Sequence, residues 1–302
     1  MSKSNLVVKT NRLNQAFQTL SLVELHIIQL AIVDARETGT GLSTDMPLRI
    51  DAMRYAEVFG VTKQNAYQRM KEAEETLFNR RFSFYDSDGY LVKSRWVQQV
   101  KYLENEGALE LVFTLAVVQG ISRIDGVKEF FTQYLLNQTT NLTSVYSARL
   151  YELLIQWQST GEVPMVELSE FKMQLGIKNN EYSRIEAFKR RVLDLAINEI
   201  NEKTDITASY KQHKKGRQIV GFSFSFKQKK TIKKGLSKNL WEAVPVGTRY
   251  QNAGGDIWIK EENGFLFCEQ KKQSMPPSLA QTATQNGTLK LGRTQKTEKI
   301  AR

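Results

Sequence analysis

The sequence is short of several things, and each shortage removes a class of function. Cys268 is the only cysteine in 302 residues, so the chain can form no internal disulfide and no cysteine-built zinc site. Its two histidines, His26 and His213, stand far apart with no histidine neighbour, which removes the His-x-His metal pair that tyrosine-dependent DNA nicking requires. No glycine-rich loop ends in Gly-Lys-Ser/Thr, so the phosphate cradle of an ATPase is missing. No apolar run approaches the roughly 20 residues of a membrane span, and the N-terminus lacks a secretory core. The expectation is a cytoplasmic, non-enzymatic chain with no metal, no cofactor and no membrane partner. On that view the sequons at Asn137 and Asn141 are accidental.

What the chain has in excess is positive charge, a formal +11 at pH 7. A basic balance favours a polyanionic partner, and its placement sharpens the point. Between Lys178 and Lys234 there are 15 Lys/Arg against 6 Asp/Glu. The same window has a recognisable order of elements. VELSEFKMQLGI reads as a short helix with Leu168, Phe171, Met173 and Leu175 apolar, stopped near Gly176. After KNNEYS, RIEAFKRRVLDLAINEINEKT reads as a longer helix with Ile185, Phe188, Val192 and Leu195 on one face. ITASY, the basic turn QHKKGRQ and IVGFSFSFK then form a hairpin, in which Val220, Phe222, Phe224 and Phe226 keep the period of two of a half-buried strand. Two helices and a hairpin are the syntax of a winged helix-turn-helix.

The N-terminal half repeats that syntax. Residues 1–10 read as a flexible arm. LSLVELHIIQLAIVDARE is helical, with Leu22, Leu25, Ile28 or Gln29, and Ile32 as its stripe, and His26 in it is a packing or surface residue. LRIDAMRYAEVFGV reads as a second helix with Met53, Ala56 and Phe59 on its apolar face. Thr62 caps a third, whose stripe is Ala66, Met70, Ala73 and Leu77. RRFSFYD, GYLVKSRWVQQVKYL and ALELVFTLAVV follow as strands, separated by the turns DSDG and NEG. Gly60 and Gly176 occupy corresponding places. The fold class is therefore α+β, with two tandem winged helix-turn-helix domains and a basic, partly disordered tail. Its divisions are an arm (1–10), a first domain (11–125), a linker (126–143) with a helical DGVKEFFTQYLLNQ, a second domain (144–230) opened by VYSARLYELLIQWQS, and a tail (231–302). Within the tail, YQNAGGDIWIKEENGFLFCEQ reads as a small hairpin followed by disorder.

Angular arithmetic picks out the reading surface. With Phe188 buried, Arg190 projects to the opposite side at 3.6 residues per turn, where a guanidinium can bond guanine O6 and N7. Ser183 and Ala187 share that side, Ala187 as a possible thymine-methyl contact. Lys189 and Arg191 flank it and serve bases or phosphates. Lys178, Asn179, Asn180 and Arg184 stand at the helix start, the end that enters the groove first. Lys211, Lys214, Lys215 and Arg217 tip the wing and suit phosphates. His213 is either one more contact or a lone surface histidine. In the first domain Lys63, Gln64, Asn65, Gln68 and Arg69 form a weaker, auxiliary DNA-binding set, and self-association is the competing role for that domain.

The run FKRRVLDLAINEINEKTDITASYKQHKKGRQIVGFSFSF resembles the second winged-helix domain of the iteron-binding plasmid replication initiators. YSARLYELLIQW, LSEFKMQLGI and LNQAFQTLSLVELHIIQLAI are similar to the same family, and the likeness covers residues 5–228. The resemblance implies a bacterial, plasmid-associated protein that binds direct repeats in double-stranded origin DNA, bends and opens the duplex, and works with the host DnaA initiator and replicative helicase. It implies a monomer–dimer equilibrium, with dimers joined through the first domain repressing the protein's own promoter at an inverted repeat, and so plasmid copy control. It also implies that the helix Arg184–Glu199 and the wing Lys211–Arg217 make the main contacts. A dimeric winged-helix transcriptional repressor without a replication role is the alternative, and a nucleoid or partition-type protein with little sequence preference is a third reading.

Overall fold

The computed structural model describes residues 5–122, 130–178, 180–229, 244–285 and 288–291. The chain divides into two compact units, residues 1–229 and 230–302.

The first unit begins with a strand where an arm was expected. β1 (Leu6–Thr10) pairs antiparallel with β8 (Phe131–Leu135), Leu6 opposite Leu135, and buries Val7, Val8, Lys9 and Thr10; residues 1–4 of the expected arm lie outside the described residues. A buried strand without a pairing partner would strand its backbone donors, so β1 depends on a segment more than 100 residues away. That is why local sequence did not reveal it. The partner segment was read as helical for the same reason. It forms β8 and then one helical turn, α6 (Asn137–Thr140).

After α1 (Asn11–Asn14) and β2 (Phe17–Gln18) comes α2 (Leu22–Thr38), started by a Ser21–Glu24 capping box and stopped by Gly39 in the left-handed region. Every residue from Glu24 to Ala35 is buried. This helix is a hub surrounded on all sides, more than the one-stripe surface helix its spacing suggests. LRID, read as helix, is β3 (Leu48–Asp51), with Leu48 and Ile50 inward; α3 (Ala52–Phe59) follows and leaves Met53 exposed. Next come α4 (Lys63–Leu77), with the expected Thr62 cap and buried Ala66, Met70, Ala73 and Leu77, and a hairpin, β4 (Arg81–Tyr85) and β5 (Leu91–Arg95). β6 (Val97–Leu103), β7 (Ala108–Phe113) and α5 (Leu115–Ile121) complete the first domain. Its two three-stranded sheets have the orders β3-β7-β6 and β2-β4-β5.

The second domain repeats the same plan. α7 (Val145–Ile155), β9 (Glu162–Glu167), α8 (Leu168–Gln174), a long helix, β10 (Ile206–Lys215) and β11 (Gln218–Gln228) follow in order, and the sheet β10-β11-β9 matches β6-β7-β3 element for element. Each domain is thus helix, strand, two helices and a wing hairpin closed onto the first strand. Gly60 and Gly176 both sit in the left-handed region just after the second helix of their domain, as their correspondence required. Met173, taken as apolar lining of α8, is 36% exposed.

A buried polar cluster centred on α7 ties together β1, α2, β8 and α8. The Glu152 carboxylate accepts from Lys9 Nζ at 2.7 Å, from Gln29 Nε2 at 3.0 Å, from the Tyr134 hydroxyl at 2.6 Å, and from Arg149. Arg149 also donates to the carbonyls of Asn14 (2.9 Å) and Gln174 (3.2 Å). Glu152 is wholly buried. Burial alone would raise its carboxyl, but the charges of Lys9 and Arg149 and the bonds from Lys9 and Tyr134 hold it at about 2. Burial pulls the Lys9 amine down to about 8.

The second unit, taken by itself, is more than the expected hairpin. β12 (Arg249–Asn252), β13 (Ile257–Lys260), β14 (Leu266–Cys268) and β15 (Gln273–Met275) form a meander; α11 (Pro277–Gln285) follows, and β16 (Leu289–Leu291) returns beside β12. Tyr250, Trp258, Leu266, Cys268, Ala280 and Leu289 make its core. Residues 230–243 and 292–302 lie outside the described residues. Among the described residues no helix is long and apolar enough to cross a membrane.

Candidate nucleic-acid interface

The helix that follows α8 is not a uniform α-helix. α9 (Ile185–Phe188) runs into a π-helical turn, Lys189–Leu193, before α10 (Asp194–Lys203). A π turn accommodates one extra residue, so the apolar stripe slides by one. Phe188 and Val192 are buried as the spacing predicts, but the stripe continues through Leu193, Ala196, Ile197 and Ile200, and Leu195 is 58% exposed. Ile185 is only half-buried.

The side opposite Phe188 keeps its expected character. Ser183, Arg184, Arg190 and Arg191 are exposed, as are Lys178 and Asn180 at the helix approach, while Ala187 is half-buried. Asn179 lies outside the described residues. Lys189 is turned away from this set: its Nζ donates to Gln212 Oε1 on β10 at 3.0 Å and lies 5.8 Å over the Tyr210 ring. The Tyr210 hydroxyl in turn donates to Asp194 Oδ1 at 2.7 Å. Lys189 therefore ties the helix to the wing strand.

The wing narrows to a two-residue turn, Gly216–Arg217, with Lys215 opposite Gln218 and Gly216 at φ 63°. Positive φ at the first turn position suits glycine in such a hairpin. Lys214, Lys215 and Arg217 are all exposed around it. Lys211 is separated from them by an irregularity between His213 and Lys214. Along β10 the inner positions are Ile206, Ala208, Tyr210 and Gln212, so Lys211 falls on the outer face of the sheet. There it lines a groove with Trp157, Glu162 and Ser223. His213 shares that face, its Nε2 2.7 Å from the Ser223 hydroxyl. The structure thus leaves Arg190, Arg191, Lys214, Lys215 and Arg217 exposed on the helix and wing of one domain, with Lys189 held by Gln212 and Tyr210 and Lys211 exposed on the outer face of the sheet.

In the first domain Lys63, Gln64, Asn65 and Gln68 are exposed at the start of α4. Lys63 Nζ lies 5.6 Å over the Tyr67 ring, and Gln68 donates to Glu72 at 2.7 Å. Arg69 is half-buried and faces inward, beside the Tyr55 hydroxyl and close enough to His26 to depress it. Position 69 is flanked on the helix by the buried Ala66, Met70 and Ala73, so it lies at the border of the apolar stripe. The first wing is opposite in sign to the second. Between β6 and β7 the turn carries Glu104 and Glu106, paired with Lys71 (3.1 Å) and with Arg49. LENEG, placed after a strand, is the sequence signal of that acidic turn.

Comparison with known proteins agrees with this architecture. Residues 6–155 match the family model described as Initiator Replication protein, WH1, and residues 167–226 the one described as Initiator Rep protein, WH2. The chain is 26% identical over 258 residues to the PI protein of Escherichia coli, covering 75% of this chain and 84% of that protein. It is 24% identical over 238 residues to an uncharacterized 27.6 kDa protein of the same organism, with 76% and 97% covered. Among solved structures it is similar to the crystal structure of Pi initiator protein in complex with iteron DNA, with a TM-score of 0.58, 25% identity, and 76% of this chain and 100% of that chain covered.

Proposed function

The chain belongs to the family of iteron-binding plasmid replication initiators with two winged-helix domains, and from that premise we propose that it binds directly repeated double-stranded sites at a plasmid origin, chiefly through its second winged helix. The observation that carries this reading is the exposed set Arg190, Arg191, Lys214, Lys215 and Arg217, spread over recognition helix and wing of one domain. The wing cations neutralise phosphates and supply affinity that falls with salt. Arg190 reaches a base edge and supplies specificity. Ser183, Arg184 and Ala187 lie at the N-terminal part of the same helix, where major-groove contacts concentrate.

Binding of several copies to an array provides the work of bending and opening an adjacent segment, since the additional protein–phosphate bonds that deformed DNA permits offset its elastic cost. No covalent step is required of the protein. By family likeness the reading extends to recruitment of the host DnaA initiator and helicase, and to repression of the protein's own promoter by a dimer joined through the first domain.

The test is footprinting of the DNA around this gene at fixed salt with wild type and Arg190→Ala. Protection repeated over directly repeated sites is expected. In the variant it should weaken by about 1–3 kcal/mol, with relaxed preference at one base pair. A single protected palindrome over the promoter would instead identify a repressor. Uniform binding without footprints would sink both.

A further inference from the structure

The hairpin β4–β5, inserted after the recognition helix of the first domain, carries a cationic face that the reading above leaves unused. Its register sets Arg81 opposite Arg95 and Ser83 opposite Lys93, so three cations share one side of the ribbon. Phe82, on the other side, is buried. Arginines placed directly opposite repel one another, and a neighbouring carboxylate is the usual remedy. This domain supplies one for Arg49, Arg54, Lys71, Arg80 and Lys101. Among the described residues Arg81, Lys93 and Arg95 have no carboxylate partner. Arg95 is nevertheless held in place: it donates to the Phe78 carbonyl at 2.7 Å, and its guanidinium lies 5.4 Å over the exposed Phe78 ring. These side chains, with Gln98 and Thr114, line an open groove of about 490 Å³.

We propose that this groove binds a DNA backbone through its phosphodiester oxygens, at a point separate from the stretch that the recognition helices read. The inference rests on the initiator reading. Two guanidinium forks and an ammonium match phosphate oxygens, while the Thr114 hydroxyl and the Gln98 amide on the groove wall already donate to the carbonyls of Arg95 and Thr44. A protein partner would want an apolar anchor point, and the one aromatic ring lining this groove, Phe78, carries the Arg95 guanidinium over one face. The position gives the groove its meaning. α4 offers DNA its Lys63 end, and the hairpin leaves from the other end at Leu77, about 22 Å away at 1.5 Å per residue. A straight duplex across the start of α4 does not extend to it. A flank that bends back reaches it, and so does a second DNA segment.

The experiment compares the full-length wild type with R81A/K93A, two exposed residues without partners, and with the charge-reversed R81E/K93E. Three DNAs are used: one repeat alone, the repeat with long flanks, and an immobilised repeat with a labelled non-repeat duplex in solution. On the repeat alone all three proteins should give the same footprint and affinity. With flanks, or in capture of the second duplex, wild type should bind more tightly, with a salt slope steeper by about 2 at 0.9 per phosphate. R81A/K93A should lose that gain and R81E/K93E should bind more weakly still. The flanked arm assigns the phosphates to the same duplex and the capture arm to another. Equal behaviour of wild type and variants in both arms overturns the proposal. If wild type footprints no repeat at all, the initiator reading falls, and the groove is judged alone by whether wild type captures the non-repeat duplex better than its variants.

Discussion

The two winged helices share one topology and carry opposite signs at the wing. In the second, the turn between the hairpin strands presents Lys214, Lys215 and Arg217 to solvent. In the first, the matching turn presents Glu104 and Glu106. Strand order, helix order and the left-handed glycine after the second helix are the same in both. Fold therefore does not distinguish them; surface charge does. A cationic wing can rest on phosphates beside its helix, whereas an anionic wing is repelled by them. At the start of α4 in the first domain, Lys63 is the only cation pointing outward among Lys63, Gln64, Asn65, Gln68 and Arg69. Exposed groups decide contact with DNA, and buried ones decide how the two unlike halves are held together.

The most damaging change should be at that junction. Glu152 gathers Lys9 of β1, Gln29 of α2, Tyr134 of β8 and Arg149 of α7, so Glu152→Ala leaves two buried cations without their counter-charge. Removing one partner from a buried pair costs about 3–5 kcal/mol. Urea denaturation followed by near-UV and far-UV signals should show one transition at a much lower midpoint, with both halves failing together. An unchanged midpoint would show that the cluster does not hold them together.

Exchanging the wing charges tests the comparison directly. Lys214→Ala, Lys215→Ala and Arg217→Ala together should flatten the salt dependence of repeat binding by up to about 3, at roughly 0.9 per lost phosphate contact. Glu104→Lys with Glu106→Lys should act in the opposite sense, tightening binding and steepening the slope. Their pairs with Lys71 and Arg49 are surface pairs, worth about 0–1 kcal/mol, so the fold should tolerate the reversal. An unchanged slope in that variant would place the first wing away from DNA.

Much of this plan was legible from spacing, and the exceptions share a cause. Period-two alternation located Phe222, Phe224 and Phe226, and a cap plus a four-residue stripe located α4. Both are local signals. What escaped depends on partners distant in the chain: β1 exists because β8 lies beside it, and β3 because it closes onto β7. Side-chain surroundings follow the same rule. Arg190 faces outward as an even helix requires, yet the helix is not even, and the π turn moves Leu195 to the surface after it. Lys189 was expected on DNA because it is cationic, but Gln212 and Tyr210 of the neighbouring strand claim it. Lys211 was grouped with the wing tip by nearness in sequence, and strand parity puts it on the other face.

A smaller effect separates the halves by pH. α2, the first helix of the first domain, buries His26, stacked on Phe59 at 4.3 Å; His213 stands on the wing strand of the second. Burial, with the Arg69 charge beside it, pushes His26 down to about 4 from an ordinary value of 6.5. The unfolded chain therefore takes up a proton there more readily than the folded one. Stability from this site is complete above pH 6.5 and is lost as pH falls through 4, on the order of 3 kcal/mol over the window. Glu152, held at about 2, loses its contribution only lower, as pH falls from 4.5 through 2. His26→Gln should thus flatten the stability profile between pH 6.5 and 4 and leave the steeper fall below 4.5 in place. Chemical denaturation midpoints at half-unit steps of pH would resolve the two limbs. If the variant still loses stability between pH 6.5 and 5 as wild type does, some group other than His26 sets the upper limb.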